Sequence, residues 1–254
     1  MAKNILIVDD SALMRRVLSD IIKKDSRFHV ESIARNGETA LAEIRENPNR
    51  FDVILLDFFL PDMNADQLLV RMADVKMSAK VIIISGVIKE DAMEIIQALE
   101  HGAFDFVTKP DNFVMAKGKD FEEKLLKRVE LAAFVDDMVV SSAKMQGTSH
   151  LRKQTKPVSI NSNQCNGQKG SVRGGKLIAL ACSTGGPKAL HQVIPKLPKN
   201  LDAPMIIVQH MPKGFTKSLA DRLNEMSNVH VKEAESGDVL KFFLKAFRGI
   251  CVNI

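Results

Sequence analysis

Short apolar runs alternate with helix-spaced apolar stripes over about the first 110 residues of the chain. Each run is bounded by polar or turn residues, which is typical of a strand buried on both faces. The stripes between the runs repeat every three to four residues, as the buried side of a helix does. The runs lie at 4–8, 30–34, 53–56, 81–84 and 104–107. Because parallel strands need a crossover between them, this alternation predicts an α/β fold with a doubly wound, five-stranded parallel sheet.

Polar residues stand at the carboxyl ends of four of these strands. Asp9 and Asp10 follow the first strand and Asp57 ends the third, while Ser85 and Lys109 end the fourth and fifth. The carboxyl ends of parallel strands share one crevice, so we expect the three carboxylates to converge and to repel one another unless a cation lies among them. Such oxygen ligands suit Mg²⁺. The pattern predicts phosphoryl transfer to Asp57, with Lys109 neutralising charge and Ser85 donating a hydrogen bond.

A further apolar run, 177–181, leads into a glycine-rich turn and then into helix-spaced residues. Free backbone N–H groups at a strand-to-helix turn stabilise an oxyanion, which makes Ser183 a candidate nucleophile. The alternative is that Ser183 or Thr184 only caps the helix, a common use of both residue types.

His210 follows the next buried run, 203–208. Two parallel strands joined by a helix place their carboxyl ends side by side, so His210 could take the proton of Ser183. A second alternative is a thiol hydrolase that uses Cys182 with His210. It is disfavoured because Cys182 belongs to the apolar run, and a buried free cysteine usually only packs.

The net charge of +5 would suit nucleic-acid binding, but its distribution argues against that function. Residues 144–176 hold seven Lys and Arg and no acid, which leaves 29 of the 36 basic residues against 31 acidic ones elsewhere. We therefore assign the positive charge to a linker and expect no nucleic-acid partner. No stretch is long and apolar enough to span a membrane, no secretory signal is visible, and the three cysteines lack metal-ligand spacing. These features predict a reduced, cytoplasmic protein without membrane insertion.

Residues 1–130 resemble the receiver domain of response regulators. The matching residues are the acidic pair Asp9 and Asp10, the phosphoacceptor position Asp57, the hydroxyl position Ser85, the aromatic position Phe106, and Lys109 with Pro110. The resemblance implies phosphorylation of Asp57 by a sensor histidine kinase, with Mg²⁺ bound by the three aspartates. It also implies that Ser85, Phe106 and Lys109 sense the phosphoryl group.

Residues 174 to about 240 resemble the effector half of chemotaxis protein-glutamate methylesterases of the CheB type. The matching motifs are Ser-Thr-Gly-Gly-Pro at 183–187 and Gln-His-Met-Pro-x-Gly-Phe-Thr at 209–216. The resemblance implies that Ser183 and His210 are catalytic. It also implies hydrolysis of methyl esters on glutamyl side chains of chemoreceptors, deamidation of certain receptor glutamines, and an unphosphorylated receiver that covers the effector site.

The expected domains are a receiver at 1–130, a linker at 131–173, whose disorder is expected to centre on 154–175, and a partial methylesterase domain at 174–254. After Leu240 the sequence departs from the family pattern, which suggests a truncated or frame-shifted product. We find no counterpart of the family's catalytic acid in these residues and expect impaired esterase activity unless another carboxylate, such as Asp238, serves His210. The alternative function is a non-enzymatic phospho-receiver with a vestigial effector domain.

Overall fold

The computed structural model of the chain describes residues 2–86, 92–110, 118–145, 176–201, 203–212, 214–238 and 249–253. The first half is a five-stranded parallel sheet in the order β2-β1-β3-β4-β5, which confirms the predicted doubly wound fold. Its elements are β1 (Lys3–Val8), α1 (Ala12–Ile22), β2 (Phe28–Ala34), α2 (Gly37–Glu46), β3 (Val53–Asp57), α3 (Ala65–Met72), β4 (Lys80–Gly86), α4 (Ala92–Glu100), β5 (Asp105–Lys109) and α5 (Lys119–Met145).

Helices cover both faces of this sheet, which explains why its central strands are almost wholly apolar. Alternate residues of each strand point to opposite faces. Ile5 and Ile7 pack with α1 and α5, whereas Leu6 and Val8 pack in a second cluster with α2, α3 and α4. This arrangement leaves the carboxyl ends of β1, β3, β4 and β5 at one edge, where the predicted polar residues lie.

The second half is a four-stranded parallel sheet in the order β6-β7-β9-β8. Its elements are β6 (Ile178–Cys182), α6 (Gly186–Val193), a 3₁₀ turn (Ile194–Lys196), β7 (Met205–Gln209), α7 (Phe215–Met226), β8 (His230–Glu233) and β9 (Gly249–Asn253). The sequence analysis assigned no element to residues 249–253, because they lie beyond the family-like part of the chain. Ile250 and Val252 are β-branched residues, which favour strands, and the segment pairs between β7 and β8.

Helix α5 extends through Met145. Residues 131–145, which the sequence analysis assigns to the linker, are therefore helical. The expected disorder at 154–175 falls outside the described residues, as does the rest of the linker from 146 onward. Among the helices that the structure describes, none combines the length and the hydropathy needed to cross a membrane.

The two halves share one hydrophobic core. A single cluster of buried side chains continues from α4 of the first half into α6 and α7 of the second. At its centre the ring of Phe106 stacks on the ring of Phe215, with centroids 5.0 Å apart and planes at 17°. Both rings are almost fully buried, and this contact joins the beginning of β5 to the start of α7.

Candidate functional sites

Three carboxylates converge at the sheet edge of the first half, as predicted. Asp9, Asp10 and Asp57 each place one oxygen within 4.8 Å of the others. The ammonium of Lys109 lies 2.9 Å from Oδ2 of Asp9 and 2.7 Å from Oδ2 of Asp57. Lys109 offsets only one of the three negative charges, so the cluster keeps an excess of negative charge. The atoms that could bind a metal here are all carboxylate oxygens. The excess negative charge and these hard oxygen ligands both fit a bound Mg²⁺ ion.

The surroundings of Asp57 raise the pKa of its carboxyl group. The pKa of Asp57 is raised to about 6, chiefly by burial, with a smaller contribution from the negative charges of Asp9 and Asp10 and against the lowering effect of Lys109. A carboxyl group with a raised pKa gains strongly from a neighbouring cation, because the cation favours the ionised form. A bound Mg²⁺ ion would therefore favour the ionised form of Asp57.

Ser85 and Phe106, the other two predicted sensing residues, have different partners. Ser85 is buried, and its hydroxyl donates to the carbonyl oxygen of Gly86 at 3.1 Å. The ring of Phe106 stacks on that of Phe215 in the second half. The described conformation thus places the aromatic position in the contact between the two halves.

Ser183 and His210 follow the ends of adjacent strands, as the sequence analysis predicted. The last paired residues of β6 and β7 are Cys182 and Gln209, and the N–H of His210 donates to the carbonyl oxygen of Cys182 at 3.1 Å. Ser183 and His210 both line a cleft of about 210 Å³. The cleft is lined by Asp120, Glu123, Lys124, Lys127, Arg128, Ser183, Thr184 and His210.

Neither hydroxyl at this turn caps α6. The N-cap is Gly185, which has a φ of 73° and provides no side-chain hydrogen bond. An L-residue rarely adopts that conformation, so glycine is required for the chain to turn so sharply into the helix. The capping alternative is therefore wrong for Ser183 and Thr184, and the exposed hydroxyl of Ser183 remains available for chemistry.

Cys182 is poorly suited to act as the nucleophile. Its side chain packs against the hydrophobic core beneath the turn. Burial raises the pKa of the Cys182 thiol, which disfavours the reactive thiolate. The structure therefore favours Ser183 over the thiol alternative.

The orienting carboxylate of the second site is not among the contacts of His210. Within the described residues, no carboxylate accepts a hydrogen bond from its imidazole. Asp238, the alternative named from the sequence, instead pairs with Lys232 at 2.8 Å and accepts the N–H of Glu235. The identity of the acid stays a prediction.

The first half forms one wall of the cleft beside Ser183. All of the charged cleft residues come from α5. Asp105, at the start of β5, is buried, and Nε of Arg128 lies 3.3 Å from its Oδ2. Burial raises the pKa of Asp105, although Arg128, the N–H of Phe106 and the side chain of Thr184 oppose the rise. A buried acid of the first half thus lies near the residue next to the candidate nucleophile.

Two cations of the second half hold the end of α4. Arg222 forms a bidentate ion pair with Glu100, with nitrogen–oxygen distances of 2.9 and 3.1 Å. The ammonium of Lys188 donates to the carbonyl oxygen of Gly102 at 3.0 Å. Positive charge at the carboxyl end of a helix also interacts favourably with its dipole.

His191, a buried histidine near the Arg222–Glu100 pair, should make the stability of the fold depend on pH. It is 8% exposed, and neither ring nitrogen has a hydrogen-bond partner among the described residues. Burial lowers the pKa of His191 below its usual 6.5, and nearby Arg222 lowers it too, against the opposing effect of Glu100. The folded state binds this proton less well than the unfolded state, so stability is full above pH 6.5 and falls with acidification below it.

We expect His191→Leu to flatten the fall of the unfolding free energy below pH 6.5, measured by denaturant titration at several pH values. His29→Leu is the control, because His29 is exposed in the first half. An unchanged pH dependence in His191→Leu would show that other groups cause the fall.

Sequence reasoning did not identify the residues that join the two halves. Asp105, Glu100 and Arg222 stand in ordinary charged positions of a strand or a helix, and their partners are far away in the sequence. The sequence analysis named Gln209 only as part of a motif. It follows four apolar residues in β7, and a polar side chain at the end of an apolar strand needs a specific partner if it is buried. That position was the sequence signal that could have identified Gln209.

Two families of known domains match the chain. Residues 5–116 match the response regulator receiver domain, and residues 178–242 match the CheB methylesterase domain. The first match spans the first sheet and the second covers β6, β7 and β8 but not β9, and together they include both candidate sites.

The chain is also similar to curated proteins named protein-glutamate methylesterase/protein-glutamine glutaminase. The protein of Oceanobacillus iheyensis is 39% identical over 237 residues, which are 93% of this chain and 63% of that protein. The protein of Bacillus subtilis is 38% identical over 234 residues, which are 92% of this chain and 63% of that protein. The chain thus spans a little under two thirds of the length of these relatives.

Solved structures resemble each half separately. The response regulator domain of Thermotoga maritima CheB is 32% identical, and the match covers 52% of this chain and 97% of that chain with a TM-score of 0.47. The methylesterase catalytic domain of Thermotoga maritima CheB is 48% identical, and that match covers 31% of this chain and 39% of that chain with a TM-score of 0.28.

Proposed function

This chain belongs to the response regulators in which a receiver domain precedes a CheB methylesterase domain, and we propose that it is a phosphorylation-regulated protein-glutamate methylesterase. Its substrates are glutamyl methyl esters, and certain glutamines, of chemoreceptors. One observation carries this proposal. Ser183 and His210 follow adjacent strand ends and line one cleft, which has a wall made by the receiver helix α5.

The two residues divide the chemistry of ester cleavage. The hydroxyl oxygen of Ser183 attacks the ester carbonyl carbon while His210 accepts the hydroxyl proton. The tetrahedral intermediate then breaks its bond to the methoxy group, which takes the proton from His210 and leaves as methanol. Water, deprotonated by His210, releases the glutamyl carboxylate from Ser183. With a glutamine substrate the same steps release ammonia.

The receiver half accepts the signal. We propose a sensor histidine kinase as the phosphodonor and Asp57 as the acceptor. Asp9, Asp10 and Asp57 would hold Mg²⁺, which offsets charge on the transferred group. Lys109 is already within 2.7 Å of Asp57, so its ammonium is placed to contact a phosphoryl oxygen there. The hydroxyl of Ser85 would exchange its present carbonyl partner for the same group.

Phosphorylation would act on the contact between the halves. The Phe106–Phe215 stack, the Arg222–Glu100 pair and the hydrogen bond from Lys188 to the carbonyl oxygen of Gly102 all hold the receiver against the effector. Movement of Ser85 and Phe106 toward a phosphoryl group would weaken the stack, because Phe106 lies in it. Opening of the contact would admit a receptor segment to Ser183, as a shift between docked and undocked populations.

Methanol release from a methyl-esterified receptor peptide tests this function. We expect the chain to release methanol, and acetyl phosphate with Mg²⁺ to raise the rate by about tenfold or more, which corresponds to a modest shift of a docking equilibrium. Asp57→Asn serves as the matched control and should keep only the basal rate. If the chain is phosphorylated but releases no methanol in either state, it is instead a non-enzymatic phospho-receiver.

A further inference from the structure

Gln209 links the backbone segments that carry Ser183 and His210. It ends β7 and is 1% exposed. Its side-chain Nε2 donates to the carbonyl oxygen of Ser183 at 3.1 Å and to that of His210, also at 3.1 Å. Both partners are acceptors, so the amide nitrogen must face them and the orientation of the side-chain amide follows.

The link lies where the sheet no longer holds the two segments together. The ladder between β6 and β7 ends with the bond from the N–H of His210 to Cys182. Beyond it, the chain after Ser183 turns into α6 and the chain after His210 leads to α7. The two bonds from Gln209 therefore continue the connection for one more residue on each strand.

Gly186 leaves the space that this side chain occupies. A Cβ atom at position 186 would lie 2.1 Å from Oε1 of Gln209 and 2.8 Å from Cβ of Cys182. Oε1 is buried and accepts no hydrogen bond from any described residue. The amide is thus held by packing on one side and by its two donated bonds on the other.

From these contacts we propose that Gln209 is a positioning residue, which fixes the placement of the nucleophile Ser183 relative to the base His210. The catalytic part of this role rests on the proposed function. The link between the two segments does not, because it consists of hydrogen bonds in the structure. Displacing a reacting group by about 1 Å can cost about 100-fold in rate, so loss of the link should slow attack by Ser183 rather than weaken ligand binding.

Two variants of the 254-residue chain test the role. Gln209→Met keeps the length of the side chain and removes the donor, and Gln209→Glu keeps its shape but presents an acceptor to both carbonyls. The control is Ile207→Val, a buried change two residues earlier on the same side of β7 that leaves both hydrogen bonds intact.

The first measurement is hydrogen exchange of peptides covering 183–186 and 210–214. We expect faster exchange in both segments for the two Gln209 variants and not for Ile207→Val. The second is covalent modification of Ser183 by a fluorophosphonate, identified by mass spectrometry. We expect its maximal rate constant kinact to fall about 100-fold while the probe's KI changes little.

Exchange in both segments that matches the unsubstituted chain, or that rises equally in Ile207→Val, would overturn the link. If exchange responds and kinact does not, the link exists but Gln209 is not a positioning residue. If exchange responds while Ser183 of the unsubstituted chain never reacts, the proposed esterase function is wrong, and the link between the segments stands.

Discussion

Replacing Asp57 with asparagine is expected to abolish phosphorylation of the chain. Only a carboxylate oxygen at this position can form an acyl phosphate, and Asp57 is the one of the three clustered carboxylates that ends β3 beside Lys109. Incubation with acetyl phosphate and Mg²⁺, followed by intact-mass measurement, should show one added phosphoryl group on the unsubstituted chain and none on Asp57→Asn. The adduct should be stable in acid and labile in base.

Two further variants sharpen this experiment. Asp74→Asn removes an exposed carboxylate that is not part of the cluster and should be labelled normally. Lys109→Ala should retain partial labelling but lose the phosphorylation response, because Lys109 contacts the acceptor without receiving the phosphoryl group. Undiminished labelling of Asp57→Asn would reject Asp57 as the acceptor.

Replacing Ser183 with alanine should remove the reaction with a fluorophosphonate and lower ester hydrolysis by about 100-fold or more, since no other described hydroxyl combines its exposure with its place beside His210. Cys182→Ser is the matched control at the adjacent residue. It should leave both reactions nearly unchanged, because the Cys182 side chain packs against the core and its raised pKa disfavours a thiolate.

The opposite pattern is equally informative. Loss of activity in Cys182→Ser, with Ser183→Ala active, would assign the chemistry to the thiol. A loss in both variants would need a stability measurement, and equal melting temperatures would then show that both side chains contribute to the reaction.

The sequence was sufficient to locate the residues of both sites because their placement depends on local pattern. Asp57 directly follows an apolar run, and His210 follows another with one residue, Gln209, between them. Parallel strands bring such ends to one edge of a sheet. The structure places Asp9, Asp10, Asp57 and Lys109 together, and it places Ser183 beside His210. The catalytic and sensing roles of these residues stay predictions.

The contact between the halves could not be read in the same way. The pairing of Glu100 with Arg222 joins residues 122 positions apart, and nothing in either helix distinguishes it from an ordinary exposed ion pair. The motif gave Phe106 a role in sensing the phosphoryl group, but nothing in the sequence indicated that its ring contacts Phe215. Such contacts depend on how two preformed surfaces fit, which neither periodicity nor residue type specifies.

Strand β9 shows a different limit. Residues 249–253 form a strand between β7 and β8, yet the sequence analysis judged them by their departure from a family pattern. Three of these five residues, Ile250, Cys251 and Val252, are apolar, and two of the three are β-branched. A judgement based on apolar character alone would have placed a strand there.

The stacked phenylalanines also determine how the contact between the halves responds to temperature. Phe106 and Phe215 are 4% and 0% exposed, so separating the halves transfers apolar rings into water. Such exposure raises the heat capacity, and the attraction between apolar surfaces weakens on cooling. The separated arrangement would therefore gain population in the cold without any phosphoryl group. If phosphorylation acts by separating the halves, the fraction already separated before phosphorylation would depend on temperature because of these two rings.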